Sequence, residues 1–82
     1  MKMVQLNEAA LEAISKSAGD GGGFQRFMKK LQGQIKYDKH KQAYFLQYDD
    51  DDLKKIQQYA QYCPGGFEDR FQAILSCIQQ QS

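Results

Sequence analysis

The chain has no apolar run that approaches the length needed to cross a bilayer. Its two cysteines, Cys63 and Cys77, make neither a disulfide framework nor a zinc motif, and they fit a cytosolic, reduced protein. A single histidine, His40, leaves no partner set for Ser-His-Asp or Cys-His catalysis. Met1-Lys2-Met3-Val4-Gln5 has no apolar core behind its charge and does not read as a signal peptide. The net charge of only +1 argues neither for a DNA-coating protein nor for an acidic DNA mimic. No cofactor or metal is expected, and the sequence points away from an enzyme. Eighty-two residues make one domain, 1–82, with little interior for a deep pocket. A hydrophobic share of 41%, with 12% aromatic, is enough for a packed core.

What is present is a repeat. Gly22-Gly23-Phe24 followed by a helix-period apolar stripe returns as Gly65-Gly66-Phe67 with a second stripe. Upstream, Leu11, Ile14 and Ala18 recur 42 residues later as Leu53, Ile56 and Ala60. After the turn the offset is 43, which marks one inserted residue. The expected fold is α+β and mainly helical: two pseudo-repeated helix-turn-helix pairs, 7–32 and 50–80, flanking a small β-hairpin at 34–48.

The first helix is expected over 7–18, with Asn7 as N-cap, Leu6, Ala10, Leu11, Ile14 and Ala18 inward, and Gly19 as its stop. The second is expected over 23–32, with Phe24, Phe27, Met28 and Leu31 on one face and Gly33 ending it. The hairpin joins Gln34-Ile35-Lys36-Tyr37 to the aromatic-rich run 42–48 through a basic loop, Asp38-Lys39-His40-Lys41. Asp49 to Asp52 cap and load the start of a third helix over 51–62, with Leu53, Ile56, Ala60 and Cys63 inward. Pro64 stops it. The fourth helix follows the glycines to residue 80, with Phe67, Phe71, Ile74, Leu75 and Ile78 inward.

Charge is unevenly spread: residues 21–41 net +5, whereas 42–82 net −3. The candidate binding residues follow from this split. Arg26, Lys29 and Lys30 lie on the outer face of the second helix. Lys36, Lys39 and Lys41 surround the hairpin loop, beside Tyr37 and Tyr44. Cations interleaved with aromatic rings suit single-stranded nucleic acid or a nucleoprotein surface; the same tyrosines also suit a core edge with wet hydroxyls. The glycine turns offer N–H groups to a phosphate, but no Lys-Ser or Lys-Thr follows, and Glu68 and Asp69 would repel an anion at the second. The four aspartates lack the spaced ligands of a calcium loop.

The double Gly-Gly-Phe pattern, with Gln25, Asp52-Leu53, Ile56 and Tyr59-Ala60, resembles small proteins encoded by phages, prophages and other mobile elements of bacteria, over residues 22–75. That resemblance implies a compact protein that binds and blocks a host complex, as anti-CRISPR inhibitors do, and it carries over no site residues. The expected function is therefore a non-enzymatic inhibitor of a bacterial protein or ribonucleoprotein complex in the host cytoplasm. A DNA-binding regulator reading through the second helix is one alternative. A self-associating structural protein, basic half against acidic half, is another. No membrane partner is expected, nucleic acid contact is compatible, and a dimer is left open.

Overall fold

The computed structural model describes residues 1–17, 19, 22–62 and 67–81. It is α+β, with four helices and one three-stranded antiparallel sheet among the described residues. The order is β1 (Lys2–Gln5), α1 (Glu8–Ser15), α2 (Gly23–Gln32), β2 (Ile35–Asp38), β3 (Ala43–Tyr48), α3 (Asp50–Tyr62) and α4 (Phe67–Gln80). The strands are arranged β1-β3-β2.

The expected hairpin is present as β2 and β3, and the sheet extends it by one strand. A two-stranded hairpin is marginal in water, and here the N-terminal segment supplies a third strand. Val4 pairs with Leu46, and Ile35 pairs with Leu46 from the other side, so the three share one face. Val4 and Leu46 are buried there. Leu6, expected in the first helix stripe, instead extends this pairing: its N–H donates to the Tyr44 carbonyl at 2.8 Å.

Asn7 caps α1 as expected, its Oδ1 accepting from the Ala10 N–H at 2.8 Å. The helix stops at Ser15 rather than running to 18, and Lys16 is already extended. Ala18 lies outside the described residues, and Gly19, at φ +77°, sits in the following loop rather than just past the helix end. The early stop has a tertiary cause. The Ala13 and Ile14 carbonyls, which a longer helix would bond internally, are taken by side chains from elsewhere, as are those of Lys16 and Ser17 just beyond. Gln32 Nε2 donates to the Ile14 and Lys16 carbonyls at 2.8 and 2.9 Å. Arg70 donates through Nε to Ala13 O (2.7 Å), through Nη2 to Lys16 O (2.8 Å) and through Nη1 to Ser17 O (3.4 Å). Arg70 also stacks on Phe67, 4.6 Å from its ring centre. A lysine has no planar fork, so Arg70→Lys is expected to lower stability by about 1 kcal/mol in urea unfolding.

α2 has the expected bounds and face. Phe27, Met28 and Leu31 are buried, and Phe24 is half-buried against Phe67, ring centres 5.0 Å apart and edge to face. α3 begins one residue earlier than expected, and of the four aspartates it is Asp49 that caps it. Asp49 Oδ1 accepts from the Asp52 N–H (2.8 Å), and Asp52 Oδ2 accepts from the Asp49 N–H (3.3 Å), a reciprocal capping box. Expectations for Cys63, Pro64 and Gly65-Gly66 lie outside the described residues. In α4, Phe71, Ile74, Cys77 and Ile78 are buried, with Phe67 and Leu75 half-buried.

α4 is the element on which the others meet: it packs along α3 and α1 and reaches β1. Phe71 stacks on Phe27 at 5.9 Å and meets Tyr59 at 5.2 Å, which joins α2, α3 and α4 in one aromatic cluster. α1 packs on α4 more than on α2, and it has eight residues against thirteen in α3.

Candidate functional site

The hairpin presents two different faces. Alternation along β3 puts Tyr44, Leu46 and Tyr48 on one side. Leu46 and Tyr48 are covered by helices, but Tyr44 and its cross-strand neighbour Tyr37 lie past that cover, 42% and 51% exposed. Their ring centres are 4.8 Å apart, a tilted contact that holds both rings on the sheet. On the opposite side Lys36 faces Phe45 across the strands, and Lys41 Nζ sits 5.3 Å over the Phe45 ring.

The tip is built, not loose. Asp38 Oδ1 accepts from the N–H groups of His40 (2.9 Å) and Lys41 (3.2 Å), and Gln42 takes a left-handed φ of +51° to bring the chain back. The turn thus spans 39–42, one residue later than expected, because Asp38 closes β2 while its side chain holds the turn. Lys39, His40 and Lys41 are exposed there.

The eight expected binding residues do not form one patch. Lys36, Tyr37, Lys39, Lys41 and Tyr44 belong to the hairpin. Arg26, Lys29 and Lys30 belong to α2, which joins the hairpin at its opposite end, where Gln34 O accepts from the Gln47 N–H at 3.1 Å. Four residues of β2 separate the two ends, about 13 Å at the usual strand rise. Arg26 is exposed and makes no ion pair among the described residues; Lys29 is exposed as well. Lys30 is not available for a partner in the way expected. Its ammonium donates to Asp52 Oδ1 at 2.6 Å. Asp52 is fully buried, and it also accepts from Gln34 Nε2 at 3.1 Å. A buried carboxylate is costly unless paired and hydrogen-bonded, so Lys30 is committed to the fold. On the flank of α2, Lys55 of α3 lies 5.5 Å over the Phe27 ring, a cation that sequence reasoning did not place there.

The shifted titratable groups tell the same story. Hydrogen bonding with Asp52 raises the Lys30 ammonium above its usual range, against a smaller opposing effect of burial. Burial acts to raise the Asp52 carboxyl, but the bonds from Lys30, Gln34 and Asp49 together hold it below its usual range. Burial lowers the Arg70 guanidinium. All three make structural contacts, and Arg70 also borders a shallow depression between α1 and α4.

A depression of about 450 Å³ lies between β1, the end of β3, α3 and α4, with Met3, Val4, Leu53, Leu75 and Ile78 among its walls. No group of three or more potential metal ligands occurs among the described residues. No described helix is long and apolar enough to cross a membrane.

These elements define an α+β protein in which four helices carry a three-stranded sheet with a tyrosine pair and a basic tip at one end. No family model, curated protein or solved structure matches the chain.

Proposed function

We propose that the chain is a non-enzymatic binding protein of a phage or mobile element, acting in the bacterial host cytoplasm by docking on and blocking a defence ribonucleoprotein of the CRISPR-effector type. The observation that carries this reading is the open Tyr37–Tyr44 pair beside Lys39 and Lys41. Tyrosine anchors are where protein interfaces concentrate their energy, and rings already held by a cross-strand contact lose little freedom on binding. The lysines steer the approach toward acidic protein or RNA phosphate. The same reading treats the chain as a duplicated helix-turn-helix unit flanking a hairpin, supported by the meeting of Phe24 and Phe67 at the starts of α2 and α4.

A DNA reader working through α2 draws less support, because Lys30 and Gln32 of that helix are spent on Asp52 and on the α1 carbonyls. Affinity capture from lysate of a bacterium carrying a CRISPR effector tests the proposal. The tagged chain should retain effector subunits with their RNA. Tyr37→Ser/Tyr44→Ser should reduce recovery by about tenfold or more, with the melting temperature little changed. Recovery of free nucleic acid alone overturns the reading.

A further inference from the structure

An open three-stranded sheet has two edges, each a template for another strand, and this chain treats its two edges differently. On β1, the outward backbone of Gln5 is closed by one side-chain amide. Gln5 N–H donates to Gln81 Oε1 at 3.0 Å, and Gln81 Nε2 donates to the Gln5 carbonyl. Cys77 Sγ donates to the same carbonyl at 3.2 Å. The Gln81 amide makes the pair of bonds that a residue of a neighbouring strand would make, which leaves Met3 as the other outward residue of that edge.

On β2 no described residue does this. The Leu6-to-Tyr44 bond turns the backbone of Tyr44, Leu46 and Tyr48 toward β1, and the Gln47-to-Gln34 bond turns that of Ala43, Phe45 and Gln47 toward β2. Lys36 and Asp38, opposite Phe45 and Ala43, therefore bond inward. Ile35 and Tyr37 direct their N–H and C=O groups outward, where no described residue meets them.

We infer that β2 is a homodimerisation edge, on which two copies pair antiparallel about a two-fold axis at Tyr37 to make a continuous six-stranded sheet. The occupant follows from the charge pattern of Ile35-Lys36-Tyr37-Asp38. In this register Tyr37 faces Tyr37 of the second copy and exchanges both backbone bonds with it. Lys36 then faces Asp38 of the second copy, and Asp38 faces Lys36, giving two opposite-charge pairs at close cross-strand spacing. Centring the axis one residue earlier would instead set two lysines against each other. Asp38 keeps its turn through Oδ1, so Oδ2 is left for the incoming lysine. On the other face, the Tyr37–Tyr44 contact of each copy continues into a row of four rings.

The inference stands apart from the host-complex reading: a dimer that captures nothing and a monomer that captures the complex separate the two. Sedimentation equilibrium of the full chain, from micromolar to millimolar concentration, tests it. A short edge makes a small interface, so a dissociation constant on the order of tens of micromolar is expected. Tyr37→Pro removes an outward N–H and none of the inward bonds, a position where an edge strand tolerates proline; it should leave a folded monomer throughout. Lys36→Glu, an exposed change, sets like charges opposite each other and should weaken the dimer about tenfold at low salt, with part of the loss recovered when salt screens the repulsion. A wild-type monomer at millimolar concentration overturns the inference, whether or not it takes up an acidic extended peptide. A folded Tyr37→Pro variant that still dimerises, or a Lys36→Glu variant with unchanged association, overturns it too.

Discussion

Replacing Phe71 by alanine is expected to cost about 3–5 kcal/mol, the usual range for emptying a phenylalanine site in a core. Phe71 is fully buried and is the largest such side chain. Its ring stacks on Phe27 from α2 and meets Tyr59 from α3, while its backbone belongs to α4. Three helices therefore border the space the ring would leave, and none of them can close it without giving up another contact. A domain of this size holds only about 4–12 kcal/mol in total. The variant should melt roughly 15 °C or more below the wild type, and at the lower end of that stability range it will be partly unfolded at room temperature. Phe24→Ala supplies the comparison. Its ring is half-buried and meets Phe67 by an edge, so about 1–2 kcal/mol is expected. Urea unfolding of both variants decides the matter. Equal losses, or a Phe71→Ala cost near that of the half-buried site, would mean that the aromatic cluster is not what holds the helices together.

The difference between those two positions was only half visible in the sequence. Phe24, Phe27, Met28 and Leu31 repeat with helix spacing, and Gly33 follows them, so α2 could be drawn from local information alone. Asn7, Phe71, Ile74 and Ile78 were legible for the same reason. What spacing could not show is which members of a stripe lie at the centre of the packing, since that depends on which helices meet. The early end of α1 was hidden more thoroughly. The side chains that take its last carbonyls come from Gln32 and Arg70, as many as 57 residues away, and nothing near Ser15 marks the stop. β1 was missed because four residues with one buried side chain, Val4, give almost no period to read. Its existence follows from β3, which has two faces to fill and two neighbours to bond.

The candidate site divides along the same line. Strand alternation and the aspartate-closed turn placed Tyr37, Tyr44, Lys39 and Lys41 together, because hairpin geometry is local. Lys30 is exposed on α2 as expected, but its pairing with a buried acid was not legible, because outward-facing lysines and runs of aspartate both read as solvated surface. Only the approach of α2 to the start of α3 turns one of four adjacent acids inward, and the capping box that Asp52 shares with Asp49 fixes which one. The S/T/D-x-x-acid spacing was present in the sequence as Asp49 to Asp52, but it reports a helix start, not a buried ion pair. The pairing also neutralises part of the basic segment against the acidic one within a single molecule, and Lys2, outside the basic segment, takes up Asp50 of the acidic one at 3.2 Å. Less of the charge split is therefore left for contacts between molecules than the sequence implied.

Lys30→Met should expose what that ion pair contributes. Removing one partner of a buried pair typically costs about 3–5 kcal/mol, but the Lys30 side chain is 51% exposed while that of Asp52 is 1% exposed. Water already screens one end, so about 2 kcal/mol at neutral pH is the expected loss. The pH dependence gives a sharper test than the size of the loss. Asp52 titrates below its usual range when folded, so its stabilisation is present above the unfolded carboxyl pKa of about 3.9 and is lost as pH falls through the lower folded value. Lys30 titrates above its usual range, so its stabilisation is present below the unfolded ammonium pKa of about 10.4 and is lost as pH rises through the higher folded value. The gap between wild type and Lys30→Met should therefore be flat between those limits and narrow at both ends. In the variant, burial of Asp52 is opposed only by Gln34, the Asp49 N–H and the helix start, so the carboxyl should titrate higher than in the wild type. Unfolding curves across pH, with the Asp52 carboxyl followed by NMR, measure both effects. A gap that stays unchanged through both limits would assign the loss to packing of the Lys30 stem rather than to its charge, since the cap at the start of α3 is common to both proteins. A gap that closes at both ends makes the lysine, 22 residues upstream, the reason a carboxylate can sit in this core.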